Sequence, residues 1–161
     1  MNIIIRKGNT KDLSCVLDLI KELADFENAK HEVKITIEDL KKDGFGKSPL
    51  FHLLVAEYKN EIIGLSFYWF RYSTWKGKFL FLEDFIVKKE FRNQGIGTQL
   101  FKKTVEISKE EKCNGMFWQV LDWNKQAINF YKKYNATISS EWLNGKLDKK
   151  QIEKIISNKE I

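Results

Sequence analysis

One short segment combines an arginine and two glycines at a spacing that suits the binding of a phosphate group. The segment is Arg92-Asn93-Gln94-Gly95-Ile96-Gly97, and it lies between a predicted strand and a predicted helix. Glycine lets backbone N–H groups approach a ligand closely, and the free N–H groups at a helix start attract anions. Arg92 can add a cationic partner. The pattern indicates a pyrophosphate site, but a tight turn without a ligand is an equally open alternative, because this is neither a P-loop nor a complete G-x-G-x-x-G fingerprint.

The elements that position this segment follow from the spacing of apolar residues along the chain. Apolar-rich or alternating runs predict strands at residues 3–6, 51–57, 62–72, 78–87 and 116–121, and a last strand within residues 137–147. Helical periodicity predicts helices at residues 10–26, 36–43, 98–111, 125–134 and 149–158. Thr10, the pair Thr36 and Asp39, and Asn124 are expected to cap helices. This order predicts an α/β protein with a mixed sheet and helices on both faces.

Length and composition predict one globular domain over residues 1–161. Hydrophobic residues make up 43% of the chain and charged residues 31%, a balance typical of folded domains. No apolar run approaches the roughly 20 residues of a membrane helix, and the N-terminus has no signal-peptide pattern. Cys15 and Cys113 lie far apart, as expected for ordinary thiols in a reducing compartment. We therefore expect a cytoplasmic protein without a membrane partner.

The formal net charge of +6 favours an anionic partner, such as a nucleic acid, a membrane surface or a polyphosphate cofactor. The charge comes mostly from lysines scattered along the chain, which indicates a lysine-rich surface rather than a nucleic-acid site. Nucleic-acid binding needs cations and aromatic residues on one face. The run Trp69-Phe70-Arg71-Tyr72 lies in a predicted strand, whose alternation separates these residues onto two faces. We expect no nucleic-acid partner, and no metal site, since His31 and His52 are isolated.

Several segments together resemble one enzyme family. The arginine–glycine segment resembles the Arg/Gln-x-x-Gly-x-Gly/Ala signature of the GNAT superfamily of N-acetyltransferases, and the chain is similar to its diamine branch, which includes the spermidine/spermine and thialysine acetyltransferases. The matches extend from about residue 5 to residue 142 and include Leu19-Ile20-Lys21-Glu22-Leu23-Ala24, Asp43-Gly44-Phe45-Gly46, Leu53-Leu54-Val55-Ala56-Glu57, Leu82-Glu83-Asp84-Phe85 and Ile128-Asn129-Phe130-Tyr131-Lys132. The resemblance implies the GNAT fold, with a central, mostly antiparallel, twisted sheet of about six to seven strands, and it implies a homodimer.

The resemblance implies that acetyl-CoA is the cosubstrate and that three groups of residues bind it. The backbone of Phe85, Ile86 and Val87 is expected to pair with the pantetheine arm. The pyrophosphate is expected at Arg92, Asn93, Gln94, Gly95, Ile96, Gly97 and Thr98. Asn124, Lys125, Gln126 and Ala127 are expected to flank the cosubstrate further along, together with Tyr131. No metal is implied.

The resemblance also assigns the proton transfers of an acetyl transfer to an amine. An aliphatic amine is protonated at neutral pH, with a pKa of about 10.4, and must lose a proton before it attacks a thioester. Glu83 matches an acidic residue at the amine, and Tyr131 matches the proposed general acid for the departing thiolate. A backbone N–H of residues 85–87 is a candidate donor to the oxyanion. Considered without the family, Tyr131 is more typical of a core aromatic residue, and Glu83 is as consistent with a salt bridge.

The acceptor pocket is implied by a further set of matching positions. These positions are Phe26, Glu27, Glu83, Asp84, Phe117, Trp118, Gln119 and Glu141. Glu83 and Asp84 are neighbours on a predicted strand and are therefore expected on opposite faces. The carboxylates of Glu27, Glu83 and Asp84 can attract a cationic amine in a chain that is otherwise basic.

One departure from the polyamine enzymes bears on the acceptor. Those enzymes carry an aspartate in the loop that corresponds to the end of the strand predicted at residues 62–72. This chain has Tyr72-Ser73-Thr74-Trp75-Lys76-Gly77 there, without an acid. This loop and Leu121-Asp122-Trp123-Asn124 are more similar to the thialysine branch. The sequence therefore favours a small diamine or a lysine-like amine over a long polyamine. A GNAT enzyme for a protein N-terminus or another amine, and an acetyl-CoA-binding regulator without turnover, are the alternatives.

Overall fold

The computed structural model describes residues 1–157, whose contacts divide into two compact units. The first unit, Met1–Gln119, holds the sheet. Its strands are β1 (Ile4–Lys7), β2 (His52–Tyr58), β3 (Glu61–Ser73), β4 (Gly77–Val87) and β5 (Met116–Trp118), and its helices are α1 (Leu13–Phe26), α2 (Ile37–Phe45) and α3 (Ile96–Glu110). The second unit, from Val120 onward, contains α4 (Lys125–Lys132) and α5 (Lys149–Ser157).

The five strands form one sheet in sequence order, β1-β2-β3-β4-β5. The first four strands pair antiparallel, and β5 runs parallel to β4. β5 can run parallel to β4 because α3 lies between them in the chain and returns the chain to the end of the sheet at which β4 begins. The prediction of a mixed, mostly antiparallel α/β sheet is therefore confirmed.

Helices cover both faces of the sheet in the first unit. On one face, α1 contributes Leu13, Val16 and Ile20 to a buried cluster with strand residues such as Leu65 and Ile86. These α1 residues recur at helical spacing, which places them on one apolar stripe. On the other face, Ile96 of α3 joins a cluster with Ala56, Ile63 and Val87. Helices on both faces were predicted, and the two clusters confirm them.

A buried hydrogen bond holds α3 against the sheet. The side-chain hydroxyls of Ser66 on β3 and Thr104 on α3 lie 2.8 Å apart. Both residues are fully buried, and Thr104 also donates to the Leu100 carbonyl at 2.9 Å. Because these polar groups are satisfied, they cost little to bury and they fix the position of α3 on the strand.

The predicted helix caps are mostly correct. Thr36 and Asp39 form a capping box at α2, and Asn124 caps α4 by accepting from the Ala127 N–H. The cap predicted at Thr10 is wrong, because Thr10 lies in a short 3-10 turn over Thr10–Asp12 that Asn9 caps, and the N-cap residue of α1 itself is Asp12. The Asn9 side chain accepts from the backbone there, and Asp12 completes the capping box.

The strand predicted within residues 137–147 is wrong. Residues 136–148 have no helix or strand, and within residues 1–157 the sheet has five strands rather than six or seven. The apolar side chains of this segment do not alternate over a useful length, and Trp142 and Leu143 are 80% and 97% exposed. Without an apolar face to bury, a strand gains little there. The strand predicted at residues 116–121 is also shorter, and of the helix predicted at 149–158, Asn158 lies outside the described residues.

Neither a membrane-spanning helix nor a metal centre is found in the described part of the chain. None of its helices is long and apolar enough to cross a bilayer. Within residues 1–157, His, Cys, Asp and Glu side chains form no group of three that could hold a metal ion.

Candidate active site

A β-bulge interrupts the pairing of β3 with β4 at Glu83. Phe67 lies opposite Asp84, but the next residue of β3, Tyr68, lies opposite Leu82, so Glu83 is an extra residue on β4. A bulge bends its strand and redirects the side chains beside it, and bulges are common next to active sites. Because of the bulge, the side chains of Glu83 and Asp84 need not point to opposite faces of the sheet, as neighbours on a regular strand do.

Glu83 and Asp84 lie on the same face of the sheet, the face covered by α1. Asp84 is the cross-strand partner of Phe67, and Glu83 Oε2 accepts a hydrogen bond from Trp69 Nε1 at 2.9 Å. Phe67 and Trp69 both pack against the cluster on the α1 side. The prediction that the two carboxylates lie on opposite faces is wrong, because the bulge breaks the alternation on which it depends.

Glu27, which directly follows α1, joins these two residues to form a carboxylate group (Glu27, Glu83 and Asp84). Burial, together with the negative charges of Glu83 and Glu27, raises the pKa of Asp84 to about 7. Burial also raises the pKa of Glu27. In both residues, burial away from water disfavours the ionised carboxylate. A bound cation would offset this cost.

The raised pKa of Asp84 predicts how stability changes with pH. The folded protein holds this proton more tightly than the unfolded chain, so the stabilisation is complete below about pH 4 and is lost as the pH rises through about 7. Relative to Asp84→Asn, the wild-type free energy of unfolding should fall in this window by up to about 1.4 kcal/mol per pH unit. Urea denaturation between pH 4 and 8 measures the difference.

Asp18→Asn is the matched control for that measurement, because Asp18 is an exposed aspartate on α1. Its stability should follow the wild-type pH profile. If the Asp84→Asn profile also ran parallel to the wild type, Asp84 would titrate normally in the folded protein.

A row of aromatic side chains continues from the carboxylate group along the α1 face. Trp69 lies 5.0 Å from Phe81 between ring centres, and Phe81 lies 5.6 Å from Phe117, with the latter two rings stacked. Phe117 of β5 was a predicted pocket residue, and the structure places it in this row. Trp118 faces the other way, since its ring meets Phe101 of α3 edge-on. Gln119, the residue after β5, is exposed.

The loop that joins β4 to α3 has the backbone shape of an anion site. Asn93 and Gly95 adopt left-handed conformations, with φ of 61° and 79°. Gly95 precedes the first turn of α3, where no side chain of residues 1–157 caps the helix, and the first helical bond runs from the Gln99 N–H to the Gly95 carbonyl. The backbone N–H groups at the helix start, before Gln99, therefore remain available to an external acceptor. We call residues 92–98 the phosphate loop.

Arg92 fixes the phosphate loop to its neighbours. Its Nε donates to the Val87 carbonyl at 2.8 Å, and its guanidinium lies 3.4 Å from the Glu22 carboxylate. The guanidinium also lies over the Phe26 ring, 5.9 Å from its centre. Phe26, a predicted pocket residue, is thus held at the end of α1 beside this arginine. The direct phosphate contact predicted for Arg92 stays a prediction.

The outer edge of β4 is open next to the bulge. β5 pairs with β4 only from Leu80 to Leu82, so residues 83–87 have no strand on that side in the described part of the chain. Phe85, Ile86 and Val87, the predicted pantetheine partners, lie along this stretch, where the Val87 carbonyl already accepts from Arg92 Nε. An extended amide-containing ligand can hydrogen-bond to such an edge as a strand would.

The second unit carries the remaining predicted residues. Tyr131 of α4 is buried, and burial raises the pKa of its hydroxyl. At the start of α4, Asn124 Oδ1 accepts from the Ala127 N–H at 3.1 Å, while the exposed Lys125 donates from Nζ to the Asp122 carbonyl. Gln126 is exposed, and Glu141 lies exposed in the irregular segment.

A comparison with protein families shows which family the chain belongs to. The family described as "Acetyltransferase (GNAT) family" matches residues 17–136. The chain belongs to the GNAT acetyltransferase family. GNAT enzymes use acetyl-CoA, and the open strand edge and the phosphate loop described above suit such a ligand.

Individual relatives agree with this GNAT assignment. Thialysine N-epsilon-acetyltransferase of Mus musculus is 42% identical over 150 residues, which cover 86% of this chain and 88% of that protein. Spermidine/spermine N(1)-acetyltransferase-like protein 1 of Homo sapiens is 39% identical over 145 residues, which cover 85% of this chain and 21% of that protein. A solved integron cassette protein from V. cholerae shares the fold, with a TM-score of 0.78 at 19% identity over 98% of this chain and 99% of its own.

Sequence reasoning missed the role of Trp69 in this GNAT site. Its indole N–H holds the Glu83 carboxylate, and its ring begins the aromatic row. No local signal marks this contact, because it depends on a bulge in the neighbouring strand. The spacing of Trp69, Phe81 and Phe117 reveals a row only once the strand register is known.

Proposed function

We propose that residues 1–161 act as one N-acetyltransferase domain that transfers an acetyl group from acetyl-CoA to a primary amine of a small cationic acceptor, a diamine, a polyamine or a lysine-like amine. The observation that carries this proposal is the carboxylate group beside the open edge of β4. It combines a site for a cationic amine with a strand edge suited to an extended ligand. The family match, which crosses the boundary between the two units, supports a single functional domain.

The first unit is proposed to bind acetyl-CoA at two places. The backbone of Phe85, Ile86 and Val87 pairs with the pantetheine arm, and the N–H groups of the phosphate loop hold the pyrophosphate. A residue with a side chain at Gly95 would be strained at its φ of 79°, whereas the space beside this glycine is open, with no atom within 4 Å of an added Cβ. When bound, acetyl-CoA supplies a thioester carbonyl that an amine can attack.

The carboxylate group is proposed to receive and deprotonate the amine. Glu83 is oriented by Trp69, so its carboxylate can accept the amine proton directly or through a water. Asp84, with a pKa of about 7, adds negative charge when it is ionised and so favours binding of the ammonium form. An N–H group of residues 85–87 stabilises the developing oxyanion. On α4, Tyr131 is proposed to donate a proton or a hydrogen bond to the departing sulfur.

Within this class of acceptors, a lysine-like amine is the favoured one. The turn between β3 and β4 has no carboxylate for the distal ammonium of a long polyamine. The identity of 42% with a thialysine N-epsilon-acetyltransferase supports the same choice. We further propose a cytoplasmic homodimer, and the exposed apolar side chains Trp142 and Leu143 support coverage by a second copy.

A CoA-release assay with a panel of amines tests the proposed function. The panel contains thialysine, lysine, putrescine, spermidine, spermine and a peptide with a free N-terminus. We expect turnover with thialysine or a small diamine and weaker turnover with spermine. Binding of acetyl-CoA without turnover on any member would contradict an acetyl transfer to this class of amine and favour a regulatory role.

A further inference from the structure

The aromatic row on the α1 face ends at a cation. The guanidinium of Arg71 on β3 lies 5.0 Å from the centre of the Phe117 ring and 5.9 Å from that of Phe81. Aromatic faces attract a guanidinium by cation–π interaction and hold it in a defined plane. Arg71 is therefore oriented along the same row whose other end carries Glu83 and Asp84.

Arg71 has no carboxylate of its own in the described chain. Each of the other arginines there, Arg6 and Arg92, pairs with acidic side chains. Arg71 is exposed, and no acidic residue among residues 1–157 forms an ion pair with it. Its planar set of N–H donors is suited to bidentate binding of a carboxylate from outside the chain.

The backbone spacing along β4 between the two ends of the row suits a particular class of acceptor. Phe81, whose ring centre lies 5.9 Å from the guanidinium, precedes Glu83 by two residues, so the backbones of these two residues lie about 7 Å apart along the strand. With bonds of about 1.5 Å, the side-chain nitrogen and the carboxylate of an extended lysine-like amino acid are also about 7 Å apart. The apolar part of such a molecule would lie over the ring of Phe81. A diamine, in contrast, would bring a second ammonium next to the guanidinium.

We propose that Arg71 binds the carboxylate of the acceptor, so that the enzyme selects an amino acid with a second, side-chain amine over a simple diamine. This inference rests on the proposed function and adds a specificity residue to it. Arg71 contacts the end of the acceptor that does not react, so it acts on selection rather than on the chemical step. The negative charges at Glu83 and Asp84 and the positive charge at Arg71 together fix which end of the acceptor is acetylated.

The test compares two acceptors that differ only in one charge: thialysine and its carboxamide. We expect wild-type kcat/KM to favour thialysine, and Arg71→Met to reduce this preference by about 10- to 100-fold, mainly through KM, because a charge-assisted pair is lost. Arg71→Lys keeps the charge but not the planar donors, so it should retain part of the preference.

Lys76→Met is the matched control, since it removes one exposed cation from the turn after β3 and should leave the preference unchanged. The inference is overturned if the wild type does not prefer thialysine, if Arg71→Met changes both acceptors equally, or if it weakens CoA binding instead. Turnover of the carboxamide by the wild type establishes that the proposed acetyl transfer holds even when the inference about Arg71 fails.

Discussion

Replacing Tyr131 with phenylalanine should lower kcat by about 100- to 1,000-fold and leave the affinity for CoA nearly unchanged. The substitution removes one oxygen from a buried side chain and keeps the ring, so packing within α4 is preserved. The loss of rate would come from the departing thiolate, which would no longer receive a proton or a hydrogen bond. Steady-state kinetics together with calorimetric CoA binding separates the two effects.

The raised pKa of Tyr131 limits how it can act. Burial keeps the hydroxyl protonated throughout the neutral range, but it also makes the hydroxyl a weaker acid than a thiol. We therefore expect the hydroxyl to act first as a hydrogen-bond donor to sulfur, with proton transfer following as negative charge develops there. A flat dependence of kcat on pH between 8 and 10 would agree with a hydroxyl that remains protonated.

Tyr134→Phe is the matched control, because it makes the same chemical change three residues further along, just after α4. It should retain wild-type kcat. An unaltered rate in Tyr131→Phe would remove Tyr131 from the reaction, and equal losses in both variants would point to altered packing in this unit.

The second large effect is expected at Gly95 in the phosphate loop. Gly95→Val should weaken CoA binding by about 100-fold or more, because a β-branched side chain is strongly disfavoured at a φ of 79° and would also occupy the space beside the helix start. Gly97→Val, in the first turn of α3, should have a similar effect. Isothermal titration with CoA measures the affinity, and thermal denaturation reports the cost of the strained backbone, about 1–2 kcal/mol.

Gly95→Asn separates strain from obstruction. Asparagine tolerates the left-handed region better than valine, so this variant should fold with little cost while still placing a side chain beside the loop. We expect it, too, to bind CoA poorly. Normal affinity in Gly95→Asn would mean that the phosphate does not lie on this side of the loop. Gly145→Val, at an exposed glycine with no atom within 4 Å of an added Cβ, should bind CoA normally.

The sequence predicts local structure well where one short-range interaction dominates. The capping box of Thr36 and Asp39 and the cap at Asn124 involve partners three residues apart, and both predictions are confirmed. The cap predicted at Thr10 is wrong because a 3-10 turn over Thr10–Asp12 precedes α1, and the neighbouring Asn9, also a good capping residue, caps that turn.

The candidate site is harder to predict because it depends on strand register. The bulge at Glu83 places two neighbouring carboxylates on one face, and no local pattern in β4 marks which residue will be extra. Arg71 and Trp69 have the same difficulty, since their partners Phe117 and Glu83 lie on other strands. The phosphate loop, in contrast, is a local glycine pattern that the sequence shows directly, and the structure places Gly95 in the left-handed region.

The open outer edge of β4 also affects how the protein behaves in solution. Unpaired N–H and C=O groups on a strand edge can pair with the same edge of another molecule, which leads to aggregation. Beyond Leu82 no strand of residues 1–157 pairs with the outer edge of β4, and the lysines that follow at positions 88 and 89 provide only limited charge repulsion at one end. A ligand that occupies the edge would remove this hazard as it binds. We therefore expect purified protein to remain monodisperse for longer during concentration and storage when CoA is present than when it is absent.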